Sequence, residues 1–212
     1  MSNTVKMKSS DTLTVSLVQG DADMARLSRF LFDRLVVDCG VYRDDADYER
    51  RVLEGVHLSG RCYAAFHGDE IVGSMRINDF TKMVPTFCLT AFEVLDYPKN
   101  VLSHGALVTN AVVDKDWRNS PAFVSMTIRL VREAIDRGIR IFFLSTAIGR
   151  RLGVEDAYRS MYMAMGLRPW RPSVAVPGIG EGSVLVLDVD EELKRGGSLT
   201  AAYFGEHSAP LT

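Results

Sequence analysis

The chain has 212 residues, 47% of them apolar and 25% charged, as in an ordinary globular domain with one full hydrophobic core. A formal charge of −2 gives no basic excess for nucleic acid, and no apolar run approaches the roughly 18 residues of a membrane span, so neither nucleic acid nor stable membrane insertion is expected. Cys39, Cys62 and Cys88 are odd in number and scattered, which argues against a disulfide framework or a metal site and for a reducing, cytoplasmic setting.

Met1 to Asp11 is polar and reads as a flexible N-terminal tail before a single domain over residues 12–190, with 191–212 as a C-terminal extension. No repeat or linker divides the domain. The first helix is predicted from Asp21 to Asp38, with Met24, Leu27, Phe30, Leu31 and Leu35 on one face and Asp21 or Asp23 as cap. Arg61 to Phe66 and Ile71 to Asn78 form a hairpin that turns at Gly68. Thr86 to Asp96 reads as a short helix or an irregular segment. Gly105 to Val113 is apolar and β-branched, so a central strand is predicted there. Pro121 to Arg137 reads as a helix with Val124, Ile128, Val131 and Ile135 as its stripe, ended by Gly138. Ile139 to Thr146 is a buried strand, and Glu155 to Met165 a helix ended by Gly166. Ser173 to Val176 and Ser183 to Val189 make a closing hairpin. This order predicts an α/β (α+β) fold, a mixed central sheet with helices on both faces.

The most informative stretch runs from Val112 to Phe123, where a buried strand ends, a polar turn follows and a helix begins. Ser120 suits an N-cap and Pro121 a first helical position. Unpaired amides in a first helical turn, with the helix dipole, favour an anion, and Arg118 adds a guanidinium suited to phosphate. An ordinary strand-to-helix turn with a surface arginine is the other reading.

Order and motif together resemble the GNAT superfamily of acyltransferases. Arg118 matches the first position of that family's Arg/Gln-x-x-Gly-x-Gly/Ala turn, while Pro121 and Phe123 stand where its glycines usually stand. The acyl-homoserine-lactone synthases and N-acyl amino acid synthases are the branch with a loosened glycine turn. Arg26 to Phe32 resembles their first helix, and Asp44-Asp45-Ala46-Asp47 their acidic motif. Val72-Gly73-Ser74-Met75-Arg76-Ile77 resembles their Val-Gly-x-x-Arg-Leu strand, Pro85 to Leu95 the stretch after it, and Val113-Asp114-Lys115 the end of their core strand. The likeness spans roughly residues 20 to 170. Leu107 and Asn110 stand where lactone synthases carry Glu and Arg, so the resemblance implies plain N-acylation of an amine, such as an amino acid, rather than lactone formation.

What the resemblance implies for the site is specific. Two core strands, Gly105 to Val113 and Ile139 to Thr146, splay, and the pantetheine arm of acyl-CoA or acyl carrier protein lies between them. Ala111, Val112 and Val113 line that arm, and Arg118, Asn119, Ser120, Ala122 and Phe123 hold its phosphate. Tyr162 protonates the leaving thiolate, or is a core aromatic beside Met161 and Met165; Tyr158 is its understudy. His104 and Glu93 are the candidate bases, each otherwise a solvated side chain. Arg76 grips a substrate carboxylate or pairs with Asp45 or Asp47, and Thr109 and Asn110 orient a water or the small-molecule amine acceptor. Besides the N-acyltransferase, the sequence leaves open an acetyl-CoA-dependent N-acetyltransferase and a GNAT-shaped binding module without catalysis.

Overall fold

A computed structural model describes residues 13–38, 40, 60–82, 92–118, 120–151, 153–176 and 180–196. Within them the strands are β1 (Leu13–Leu17), β2 (Arg61–His67), β3 (Glu70–Asp79), β4 (Gly105–Val113), β5 (Ile141–Ser145), β6 (Arg168–Val176) and β7 (Gly180–Asp188). The α-helices are α1 (Asp21–Leu31), α2 (Val101–His104), α3 (Ala122–Asp136), α4 (Ala147–Arg151), α5 (Glu155–Ala164) and α6 (Val189–Arg195). A π-helical turn, Phe32–Asp38, continues α1, and single 3₁₀ turns lie at Val94–Asp96 and Lys115–Trp117. The predicted tail and acidic motif, Asn119, Cys39, Cys88 and most of 191–212 lie outside the described residues.

The strands form one sheet in the order β1-β2-β3-β4-β5-β7-β6. Only β4 and β5 are parallel, and α3 is the crossover between them; every other neighbouring pair is antiparallel. Alternation along the strands sends residues to two cores. Tyr63, Met75, Ala106, Val108, Phe142, Leu144 and Leu185 point to a first face, where they meet Met126 and Leu130 of α3 and Tyr162 of α5. Cys62 and Ala64 point to the second face, where α1 and its π turn cover them with Leu27, Phe30, Leu31 and Leu35. Leu107, Ile141, Phe143, Val184 and Val186 share that second face further along, under Phe92, Val94 and Val174. Each such fully buried Leu, Met or Phe contributes about 1.5–3 kcal/mol of apolar burial.

The fold class and the two helix-covered faces match the sequence reading, and β4 has the predicted bounds. Several local expectations need correction. β1 was not predicted, because five alternating residues on a sheet edge give a weak signal. β6 starts five residues before the predicted Ser173, since Pro169 and Pro172 speak against a strand yet are tolerated on an edge. Gly20 flanks the start of α1 with no side-chain cap, and Asp23 instead pairs with Arg26 at 3.1 Å. α3 begins at Ala122 with Pro121 as the flanking residue, and Ser120 Oγ accepts from the Ala122 N–H at 3.2 Å. The buried stripe of α3 is Phe123, Met126, Leu130, Val131 and Ala134. Val124 is exposed, because the larger Phe123 next to it takes the inward position.

Candidate active site

The site begins with a hydrogen-bond ladder that stops early. β4 pairs with β5 only through Gly105–Ile141, Ala106–Phe142 and Leu107–Phe143, although β4 runs on to Val113. β5 instead follows β7 along its whole length, to Ser145 opposite Val184. What draws it aside is a set of contacts just past its end. Thr146 N–H donates to Ser183 O at 2.9 Å, and Ser183 N–H donates back to Thr146 Oγ1 at 3.0 Å. Thr146 Oγ1 donates to Glu155 at 2.7 Å, and Ser183 Oγ lies 3.2 Å from the same carboxylate oxygen and 2.9 Å from Pro172 O. Gly182 lets α4 press onto β7, since a Cβ there would stand 2.4 Å from the backbone of Ala147. The two parallel strands therefore separate toward their C-terminal ends, the end of a parallel pair where ligands usually bind.

β4 also changes register where it separates. Arg76 of β3 faces Thr109, and Ser74 faces Val112, so Asn110 and Ala111 both oppose Met75. This is a β-bulge, and Asn110 takes it up with a φ of 49°. Asparagine is one of the few residue types that enter the left-handed region readily. The extra residue flips the alternation: Ala106 and Val108 face α3 and α5 before the bulge, and Ala111 and Val113 do so after it. Val112 points to the second face, beside α1. Beyond Leu107, main-chain groups of β4 that point away from β3 have no strand partner on the other side.

Past the strand, Asp114 caps the 3₁₀ turn by accepting from Asp116 N–H at 2.9 Å, and Trp117 is buried with its ring 4.7 Å from that of His67. Arg118 is exposed, and its side chain makes no hydrogen bond or ion pair among the described residues. Among the described residues the first main-chain bond of α3 runs from Ser125 N–H to Pro121 O, and the amides of Phe123 and Val124, which precede it, have no main-chain acceptor there. The Ala122 amide is already held by Ser120, and Pro121 offers none.

Tyr162 of α5 stands against this helix start. It is buried, its ring centroid lies 5.5 Å from that of Phe123 and 6.2 Å from that of Tyr158, and its hydroxyl has no hydrogen-bond partner among the described residues. Burial, and secondarily the neighbouring Tyr158, push its phenol well above the usual range, so it stays protonated and able to donate. Ala111, Val113, Phe123, Leu144, Tyr158 and Tyr162 share one apolar cluster, which brings the strand, helix start and tyrosine together.

Other expected residues stand apart from it. His104 ends α2 at the N-terminal end of β4, with Nδ1 3.3 Å from Gly138 O. Five strand residues, about 17 Å, separate it from the bulge. Glu93 adopts a left-handed φ of 48° and is ion-paired to Arg171, while its carbonyl accepts from Trp170 Nε1 at 3.3 Å. Arg76 and Thr109 face the second side, where Arg76 Nε donates to Thr109 Oγ1 at 2.7 Å; both Arg76 and Asn110 are buried. Arg76 also faces Cys62, whose thiol burial pushes up to about 11 against the pull of the guanidinium.

The sequence reading missed three contacts here: Arg34 with Asp114 at 2.9 Å, Phe123 with Tyr162, and Glu155 with Thr146 and Ser183. Asn110 within a β-branched run was the one visible sign of the bulge. No cluster of three or more metal-ligating side chains occurs among the described residues, and no helix there is long and apolar enough to cross a membrane.

No protein-family model matches the chain, and no curated protein matches it. Solved structures do. FeeM, an N-acyl amino acid synthase from uncultured soil microbes, superposes with a TM-score of 0.63 at 16% identity, over 90% of this chain and 97% of that one. A GNAT-family acetyltransferase from Staphylococcus aureus Mu50 gives 0.58 at 12% identity, over 84% and 99%. The AHL synthase LasI gives 0.55 at 16% identity, over 87% and 95%. At these identities the likeness is one of fold, and the fold of this chain is that of the GNAT acyltransferases.

Proposed function

We propose that the chain is an N-acyltransferase that moves an acyl group from acyl carrier protein or acyl-CoA to the amine of an amino acid or similar small molecule. The observation that carries this reading is the parting of β4 from β5 after Leu107 and Phe143, with Tyr162 beside the gap. A pantetheine arm laid in the gap takes the place of the missing strand and bonds main-chain groups of β4 beyond the end of the β5 ladder. Its phosphate then meets the amides of Phe123 and Val124 and the guanidinium of Arg118. Ser120, Ala122 and Asn119 belong to the same turn.

The chemistry is a direct transfer. The amine nitrogen attacks the thioester carbonyl, and the oxygen becomes an oxyanion held by a β4 amide. The carbon–sulfur bond breaks, Tyr162 donates its proton to the thiolate, and the attacking nitrogen loses a proton through water to restore the phenol. Amide and free thiol leave. Arg76, held against Thr109, is the group on the second face suited to an acceptor carboxylate. Glu93 is ion-paired to Arg171 and His104 lies at the other end of β4, so in this arrangement the proton leaves by a water, with Asn110 nearby to orient it.

A short acyl group, acetyl above all, is the second reading. It is favoured by the contact of Phe123 with Tyr162, which narrows the space beside the phenol. The test uses acetyl, octanoyl and palmitoyl thioesters of CoA and of acyl carrier protein with pooled amino acids. Amine-dependent release of thiol, and a product heavier by the acyl group, are expected. No thiol from any donor, with no thioester binding, overturns the reading. Binding without release, unchanged in Tyr162→Phe, identifies a binding module.

A further inference from the structure

We propose that Arg34 is a positioning residue for the donor turn and acts through Asp114. The pair joins elements on opposite sides of the sheet. Arg34 lies in the π-helical turn that continues α1 on the second face, whereas Asp114 is the first residue past β4, where the gap is widest. Arg34 Nη1 meets Asp114 Oδ2 at 2.9 Å, with the two side chains 23% and 22% exposed. This is a charge-assisted bond in a half-dry setting, where such bonds are worth more than on open surface.

Asp114 is held on every side. Its other carboxylate oxygen accepts from Asp116 N–H at 2.9 Å, and its own N–H donates to Val72 O at 2.9 Å. Arg34 is fixed in turn by Asp38 at 2.5 Å and by Phe30, whose ring centroid is 5.9 Å from Cζ. Arg118 follows Asp114 by four positions and Ala122 by eight. The carboxylate is therefore the pivot from which the 3₁₀ turn, Arg118 and the start of α3 are aimed. Asp114 and Asp116 are also two negative charges on a turn meant to face a phosphate, and Arg34 offsets part of that charge at Asp114. Asp38, four residues on, meets the same Nη1, so one nitrogen links the π turn to Asp114.

The kinetic part of this proposal rests on the acyl-transfer reading; the structural part does not, and the test separates them. Amide hydrogen exchange is measured first in the parent, Arg34→Gln, Arg34→Lys and Asp114→Asn. In Arg34→Gln, exchange at residues 115–124 should quicken about tenfold while residues 126–136 keep the parental rate. With a thioester donor, Arg34→Gln and Asp114→Asn should each raise donor KM about five- to tenfold, with kcat and acceptor KM within about twofold. The double variant should be no worse than either single one, and Arg34→Lys should recover part of the loss. Unchanged exchange at 115–124 overturns the proposal whether or not the parent turns over. So does a uniform fall in kcat with donor KM intact, or full additivity of the two substitutions. A parent that releases no thiol sinks the acyl-transfer reading and leaves the exchange result to decide the pair's role.

Discussion

Tyr162→Phe separates catalysis from packing at one atom. The ring is buried between Phe123 and Tyr158, and phenylalanine keeps both ring contacts, each worth about 0.5–1.5 kcal/mol. Only the hydroxyl is lost, and among the described residues it has no hydrogen-bond partner. With no hydrogen bond lost, its removal should be neutral or stabilising by up to about 1 kcal/mol. For a chain of this size that is a Tm unchanged or raised by roughly 2–4 °C. Activity should move the other way. Without the acid, the thiolate leaves unprotonated and kcat should fall about 10²-fold or more, equivalent to some 2.7 kcal/mol of barrier. Burial holds the phenol above its ordinary range near 10, so it is protonated and the deficit should persist through neutral and mildly alkaline pH. Scanning calorimetry and steady-state thiol release measure the two effects. A Tm that drops by several degrees, or a kcat equal to that of the parent, refutes the assignment.

Four further outcomes follow from the same contacts. Arg118→Ala should raise donor KM about five- to tenfold in low salt and less at high ionic strength, and equal affinities at low salt remove Arg118 from the site. In a Cys39→Ser, Cys88→Ser background, Cys62 should resist iodoacetamide at pH 8, because a thiol pushed up to about 11 by burial is about one part in a thousand thiolate there. Rapid native-state labelling contradicts this. Gly182→Ala should cost about 2 kcal/mol or more, seen as a Tm lower by at least roughly 4 °C, since the new methyl meets the backbone of Ala147 rather than a side chain able to move. Arg150 holds the Glu155 carboxyl below the ordinary range, against some desolvation and with help from Thr146. A lowered folded pKa stabilises above the unfolded value near 4.3, and the gain is lost as acid carries pH down through the folded one. Urea midpoints of the parent should thus fall more steeply than those of Glu155→Gln below about pH 5.

The parts of this fold that could be read from the chain are those where local pattern and tertiary role agree. Gly105 to Val113 is apolar on both sides because both faces of β4 are covered, so its limits were visible. Gly68 and Gly138, at φ values of 58° and 86°, end their elements as their residue type demands. Edges were harder: β1 is short, and the prolines of β6 mimic a loop. The proposed site has a local outline in the sequence, a helix start after a buried strand with a tyrosine on the following helix. What no spacing conveys is which end of a strand opens. His104 borders β4 in sequence but borders the closed end in space, where the β5 ladder is intact. Glu93, the other candidate base, is ion-paired to Arg171, a contact no local pattern announces. Contacts between distant segments, such as Arg34 with Asp114, have no local signature at all.

The single extra residue at Asn110 gives β4 two independent frames. Ahead of it, any change of size must be reconciled with β5; behind it, the same change is felt by α3 and by whatever fills the gap. Deleting that one residue would remove the bulge yet leave Ala111 and Val113 inward and Val112 outward, whereas straightening the strand with Asn110 kept would turn Val112 inward in their place. On the acyl-transfer reading, substitutions at Ala111 and Val113 would change the fit to a thioester arm while the upstream β4–β5 ladder stays as it was.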